Sequence, residues 1–230
     1  MPWSVIRKDF THSDSVKCAF KCHQPITSGV AFVVQDEDGN SGFCGSTCVK
    51  KAQNYTDIKS IPNFTSATFI QNVNGGGNGN GNGGNIGGYT VDNHQIAITY
   101  LLLRFERLSH YGKLRITNTG RLAQIYARYQ TDPQISETDV DYLLSCANNE
   151  TTYQRFNLRN LMAFYNLENL CKKIGRSKHQ NLLTQDKTDA SRIARELYTN
   201  TQVQPADIQL INQILDKIDF KYRMSINAFQ

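Results

Sequence analysis

Apolar and polar positions follow two different rhythms along these 230 residues, and the change of rhythm divides the chain. In the first third, the β-branched run Gly29-Val30-Ala31-Phe32-Val33-Val34 leads into Asp36-Glu37-Asp38-Gly39-Asn40, whose residues suit a turn; together they predict a β-hairpin. Phe43-Cys44-Gly45-Ser46-Thr47-Cys48-Val49-Lys50-Lys51-Ala52 then predicts a turn entering a helix, with Gly45 or Ser46 near its cap and Cys48 in its first turn. From Tyr89 onward apolar residues recur every three or four positions, as on helices. Ile96, Ile98, Leu101, Leu102, Leu103, Phe105 and Leu108 mark a central core helix, too short and too charged at Arg104, Glu106 and Arg107 to cross a bilayer.

Further helices are expected from Gly120 to Gln130 behind a cap at Thr117 or Thr119, and from Ser136, which forms a capping box with Asp139, to about Asn148. The longest is expected from Thr152 to Ile174, stopped by Gly175. Thr188 caps another to Tyr198, and Pro205 opens the last, with Ile208, Ile211, Leu215 and Ile218 facing inward. About six helices in roughly 140 residues suffice to bury one core. The expected fold class is α+β, a small hairpin-plus-helix unit followed by an all-α domain.

Between them lies Asn74 to Gly88, in which nine of fifteen residues are Gly, five are Asn and one is Ile86. Such a stretch forms no packed core and behaves as a flexible coil spanning on the order of 20 Å, so the flanking units are expected to reorient independently. The expected domains are residues 1–73, a linker 74–88, and residues 89–230. Gly79, Gly81 and Gly84 spell G-x-G-x-x-G, but no strand precedes them and no helix opens at the last glycine, so composition explains the match.

The strongest chemical signal is cysteine spacing. Cys18 and Cys22, then Cys44 and Cys48, form two C-x3-C pairs separated by twenty-one residues. Met1 to Phe10 carries Arg7, Lys8 and Asp9 and lacks the apolar core of a signal peptide, so a reducing, cytoplasmic setting is expected. There, a thiolate quartet points to one structural Zn²⁺ ion rather than to two bridges. His23, directly after Cys22, is the alternative ligand at that position.

Lys17-Cys18-Ala19-Phe20-Lys21-Cys22, Pro25-Ile26, the hairpin and Phe43 to Cys48 resemble the TRASH, MYM or FCS class of treble-clef zinc finger over residues 17–52. Phe43 to Cys48 matches the F-C-S-x-x-C element of that class with Gly45 in the serine position, whereas the first knuckle has C-x3-C in place of C-x2-C. The resemblance implies a compact metal-stabilised module that contacts nucleic acid or docks a protein.

Charge separates the two halves. Residues 1–73 carry seven Lys plus Arg against six Asp plus Glu, whereas residues 94–230 carry eighteen against thirteen. The surplus gathers at Arg155, Arg159, Lys172, Lys173, Arg176 and Lys178, with Arg121 and Arg128 on an earlier helix. Arg155 and Arg159 are expected one turn apart on one face, and the later group continues into a loop where it can reach a phosphate backbone. Tyr126, Tyr129, Tyr153 and Phe156 are interleaved and suited to stacking on unpaired bases. Against this, Lys172 and Lys173 in a last helical turn favour the helix dipole without any ligand, and helically spaced aromatics usually face a core.

Asp132, Glu137, Asp139 and Asp141 are the acids that could hold Mg²⁺ for phosphoryl chemistry, but their place at a helix start accounts for them, and no enzyme is expected. Cys146 and Cys171 fall on apolar faces as small hydrophobes. The expected function is a zinc-containing accessory protein that binds nucleic acid, DNA or RNA and single-stranded, in replication or transcription. Its expected partners include a polymerase or replication protein, with no membrane contact. The asparagine-rich, glycine-punctuated style suits a bacteriophage or mobile-element protein. The alternative is an adaptor whose finger docks a protein and whose helices form an assembly core.

Overall fold

The computed structural model describes residues 2–11, 13–20, 22, 24–58, 60–65, 69–71, 85–86, 89–90, 92–116, 120–148 and 154–229. Along them run the strands β1 (Trp3–Phe10), β2 (Val16–Lys17), β3 (Pro25–Ile26), β4 (Val30–Asp36), β5 (Ser41–Cys44), β6 (Phe69–Gln71), β7 (Asn85–Ile86), β8 (Tyr89–Thr90) and β9 (Tyr222–Met224). The α-helices are α1 (Asn93–Leu102), α2 (Arg121–Thr131), α3 (Glu137–Ala147), α4 (Leu158–Arg176), α5 (Thr184–Asn200) and α6 (Pro205–Asp216). A small N-terminal antiparallel sheet with six helices is a mixed, α+β architecture.

The expected hairpin is β4 with β5, paired from Phe32 opposite Cys44 to Gln35 opposite Ser41. Its turn is held by the Asp36 carboxylate, which accepts from the backbone N–H groups of Asp38 and Asn40 at 3.1 and 2.8 Å. Gly39 takes the positive φ of 83° that this turn needs. The sheet has a third member that the apolar pattern conceals. β1 lies antiparallel on the other side of β4, and its register slips between Val5 and Arg7, so Ile6 is an extra residue that breaks the alternation.

The helix expected after Cys48 is not α-helical. Cys48–Lys51 and Tyr55–Asp57 are separate 3-10 turns, divided at Ala52, whose backbone is extended. The cause is a competing partner. Gln53 N–H donates to the Trp3 carbonyl, and the Asn54 side chain accepts from Val5 N–H at 2.8 Å and donates to the Val5 carbonyl at 2.9 Å. The chain is thereby drawn across the bulged strand instead of winding on.

Among the helices, Ser136 caps α3 as its spacing predicts, accepting from the Asp139 N–H. The central core helix begins at Asn93 and passes at Leu103–Arg107 into a π-helical turn, in which Leu108 N–H donates to the Leu103 carbonyl at 2.9 Å. The long helix starts later than expected, at Leu158, because Asn157 is its cap and Gln154–Phe156 forms a separate 3-10 turn. It also runs through Gly175 to Arg176 before Ser177 ends it. α5 begins at Thr184 rather than behind Thr188, with the Asp186 carboxylate accepting from the Leu183 N–H at 2.8 Å.

α4 is the axis of the molecule: Asn160 to Cys171 is buried without interruption. The sheet packs against it. Phe10, Val30 and Phe64 belong to the same buried apolar cluster as Leu101, Leu161, Phe164 and Phe220. Polar links cross the same seam, with Asn166 Nδ2 donating to the Phe64 carbonyl at 3.0 Å and Tyr165 Oη to Asp9 at 2.7 Å. β6 pairs with β9 near the C-terminus. These contacts hold together two parts that composition predicts to reorient independently. Of residues 74–88, only Asn85 and Ile86 are described, so the expected linker otherwise lies outside the described residues.

The seam is tight at Gly29, which has φ of 78° and sits against the buried Phe220 ring; an added Cβ would fall 2.3 Å from that ring. Gly29→Ala is expected to cost about 2–3 kcal/mol through strained backbone and overpacking together. Chemical denaturation measures it, and an unchanged midpoint would show that this seam yields.

Candidate metal centre and basic cleft

Cys18, Cys22 and Cys48 converge from separate segments. Cys18 follows β2 and is held to β5 by an isolated bridge to Phe43, with Ala19 N–H donating to the Phe43 carbonyl at 2.8 Å. Cys48 opens the first 3-10 turn, fixed where Val49 N–H reaches the Gly45 carbonyl. The three sulfurs lie within 4.8 Å of one another, half-buried and free of disulfides. Tetrahedral zinc–thiolate geometry would place sulfurs about 3.8 Å apart, a spacing compatible with this set.

Cys44, the fourth expected ligand, is outside that triangle and fully buried at the end of β5. Burial first, and then the neighbouring Cys18, Cys48 and Cys22 sulfurs, push its thiol up to about 12. The Cys48 thiol is raised to about 11, chiefly by its hydrogen bond with Cys22. Cys22 moves down through hydrogen bonding, first with the Gln24 backbone and then with Cys48 and Cys18. Sulfurs this close repel one another as thiolates, and a divalent cation among them removes the conflict. The donor set therefore fits a metal ion. His23, the alternative ligand, and Lys21 lie outside the described residues.

A second site opens where the loop after β1 meets the end of α4. Thr11, Ser13, Asp14, Asn169, Lys172, Lys173, Arg176 and Lys178 line a cleft of about 370 Å³. Four of the expected cations thus converge. Lys172 pairs with the buried Glu168, and Lys173 Nζ lies 3.1 Å from Asp14 Oδ1 and 5.1 Å from the centre of the Phe220 ring. Arg176 and Lys178 are exposed and have no ion-pair partner among the described residues. Thr11, Ser13 and Asn169 join the cleft without any signal in the sequence, because the seam that brings them there is a long-range packing event.

The other four cations are placed elsewhere. Arg121 and Arg128 both reach the buried Asp139 carboxylate, at 3.4 and 2.6 Å. Burial would raise that carboxyl, but its bonds to Arg128, Ser136 and Arg121 outweigh burial and leave it below the usual carboxylate range. Arg155 and Arg159 do not share a helical face: Arg155 is in the 3-10 turn, with its guanidinium 4.7 Å from the Phe156 ring centre, and Arg159 is in the first turn of α4, donating to the Asn227 and Ala228 carbonyls.

Of the interleaved aromatics, Tyr126, Tyr129 and Phe156 are half-buried against the core, and Tyr153 lies outside the described residues. Of the acids at the α3 start, Glu137 faces His94 at 3.5 Å, and Asp139 is engaged as above. Cys171 is buried and its thiol is pushed up to about 12, mainly by that burial; Cys146 is half-buried.

Among the described residues, no helix is long and apolar enough to cross a membrane. No protein-family model matches the chain, and neither the curated proteins nor the solved structures compared with it give a match. Fold and site together describe an α+β protein with a cysteine cluster able to hold a metal ion and a separate basic cleft.

Proposed function

We propose that the protein is a zinc-containing accessory protein that binds single-stranded nucleic acid. The carrying observation is the cleft, in which Lys172, Lys173, Arg176 and Lys178 surround one concave surface with the Thr11 and Ser13 hydroxyls and the Asn169 amide beside them. Exposed Arg176 and Lys178 with the Ser13 hydroxyl beside them suit phosphate oxygens, whereas the Thr11 hydroxyl already donates to the Ser13 carbonyl and the Asn169 amide to the Tyr165 carbonyl. The cysteine quartet is the structural zinc site in this reading, a treble-clef module with Cys44 as fourth ligand, and it stiffens the sheet that presents Thr11 and Ser13. The chain thereby serves replication or transcription as a holder of strands, with a polymerase or replication protein as neighbour.

A second reading has an observation of its own. Lys172, Lys173, Arg121 and Arg128 are already paired with carboxylates, as expected if much of the basic surplus stabilises an adaptor. A salt series separates the two. If four cations meet phosphates, log affinity for a short oligothymidylate falls against log salt with a slope of about −3, and Arg176→Ala with Lys178→Ala makes it shallower by roughly 1.4. An unchanged slope in that double variant moves the site elsewhere. Absence of binding at low salt ends the nucleic-acid reading and leaves the adaptor.

A further inference from the structure

A second cavity, of about 700 Å³, opens between α2 and the segment that follows the π-helical turn. Its size is in the range of pockets that hold small ligands. Its volume has a local cause. Ala123 and Ala127, one turn apart on α2, leave space that larger side chains would fill, while Phe105 and Tyr126 supply an aromatic wall. The two rings stack in parallel, with centres 4.4 Å apart and planes 6° from each other.

The Tyr126 ring is held in place at its far end. Its hydroxyl donates to the Glu106 carboxylate at 3.3 Å and accepts from Gln130 Nε2 at 3.0 Å. On the rim, the Arg115 guanidinium is exposed and has no ion-pair or hydrogen-bond partner among the described residues. A fixed aromatic wall, an amide at its edge and an unpaired guanidinium on the rim make three demands on a ligand. It must be flat and aromatic, offer hydrogen-bonding edges, and carry a negative group within reach of the ring.

We infer that this cavity is a nucleotide subsite, in which the Tyr126 ring meets an unpaired base on the face that Phe105 leaves open, and Arg115 meets its phosphate. A strand supplies this chemistry, and so does a free mononucleotide. The strand source rests on the nucleic-acid reading above; the mononucleotide does not. A hydrophobic peptide fits less well, since it leaves Arg115 unpaired and makes no use of the flat wall.

The test compares full-length protein binding to a short oligothymidylate, to the same backbone without bases, and to adenosine monophosphate. Base stacking predicts that the base-bearing strand binds about tenfold more tightly than the abasic one. Tyr126→Leu is expected to abolish that difference while leaving the salt slope of the cleft unchanged. Ala127→Leu, which fills the cavity from an exposed helical position, is expected to do the same with little effect on thermal stability, so a folding failure of the tyrosine variant does not decide the matter. Strand binding with no preference for bases, in a protein that also fails to bind the mononucleotide, overturns the subsite and leaves the cleft standing. Mononucleotide binding that is lost in Arg115→Ala, without any strand binding, supports the subsite and removes the strand reading. Binding of none of the three probes overturns both.

Discussion

Replacing Cys48 by serine is expected to release the metal and loosen the N-terminal sheet while the helical core survives. The sheet's own apolar cluster is small: Val5, Val34, Cys44, Val49, Ala52 and Ile61 are its buried members. Phe10 and Val30 are carried by the helical core, but the cysteine side of the sheet has only this small cluster, so an ion matters most there. A bound ion would tie the Cys18 segment to the turn at Cys48, and losing a structural zinc can remove stabilisation on the order of 10 kcal/mol where folding depends on it. Hydrogen exchange should show lost protection across residues 41–54 and retained protection in α4, both in the variant and after chelation. Metal analysis should fall from about one ion per chain to none. Full metal content and unchanged protection in Cys48→Ser would remove Cys48 from the centre.

The second large effect concerns Asp9, which is almost fully buried at the seam between sheet and helices. Its carboxylate accepts from Tyr165 Oη at 2.7 Å, Arg107 Nη2 at 3.1 Å, Arg7 Nε at 3.2 Å and the Phe10 N–H at 2.9 Å. Asp9→Ala leaves the half-buried guanidinium groups of Arg7 and Arg107 without their shared carboxylate, and Arg107 Nε already lacks a partner. The expected cost is about 3–5 kcal/mol. Tyr165→Phe removes one neutral donor and should cost only about 1 kcal/mol. Urea denaturation of the two variants tests the ranking. Equal costs would mean that the phenol, not the charge, organises this junction.

How far the sequence discloses this molecule depends on the range of the interactions involved. The β4–β5 hairpin, the Ser136 cap and the cysteine spacing are local patterns, written within a few residues or a repeated interval. β1 was hidden because Ile6 interrupts its alternation. The residues after Cys48 read locally as a helix because the partner that draws them off, β1, lies more than forty residues upstream. Gly175 does not stop α4, because its φ is not positive and it keeps helical geometry instead of forming a left-handed cap; Ser177, with extended backbone, ends the helix. Charge was readable but pairing was not, since nothing near Arg121 or Arg128 announces that both converge on Asp139. The cavity beside Tyr126 is equally hidden, because the Phe105 that stacks on it comes from within the π-helical turn, about twenty residues upstream.

The pairing of β6 with β9 bears on how the glycine-rich stretch can vary. Gln71 is paired opposite Tyr222 in the β6–β9 ladder, and Asp92 caps a helix of the shared core, so both flanks of the stretch are anchored in one packed body. Lengthening the chain between these anchors adds the entropy of closing a longer loop, which grows with the logarithm of the number of residues. Doubling it should cost no more than about 0.6 kcal/mol. Insertions there are expected to be tolerated in a way that none within α4 would be.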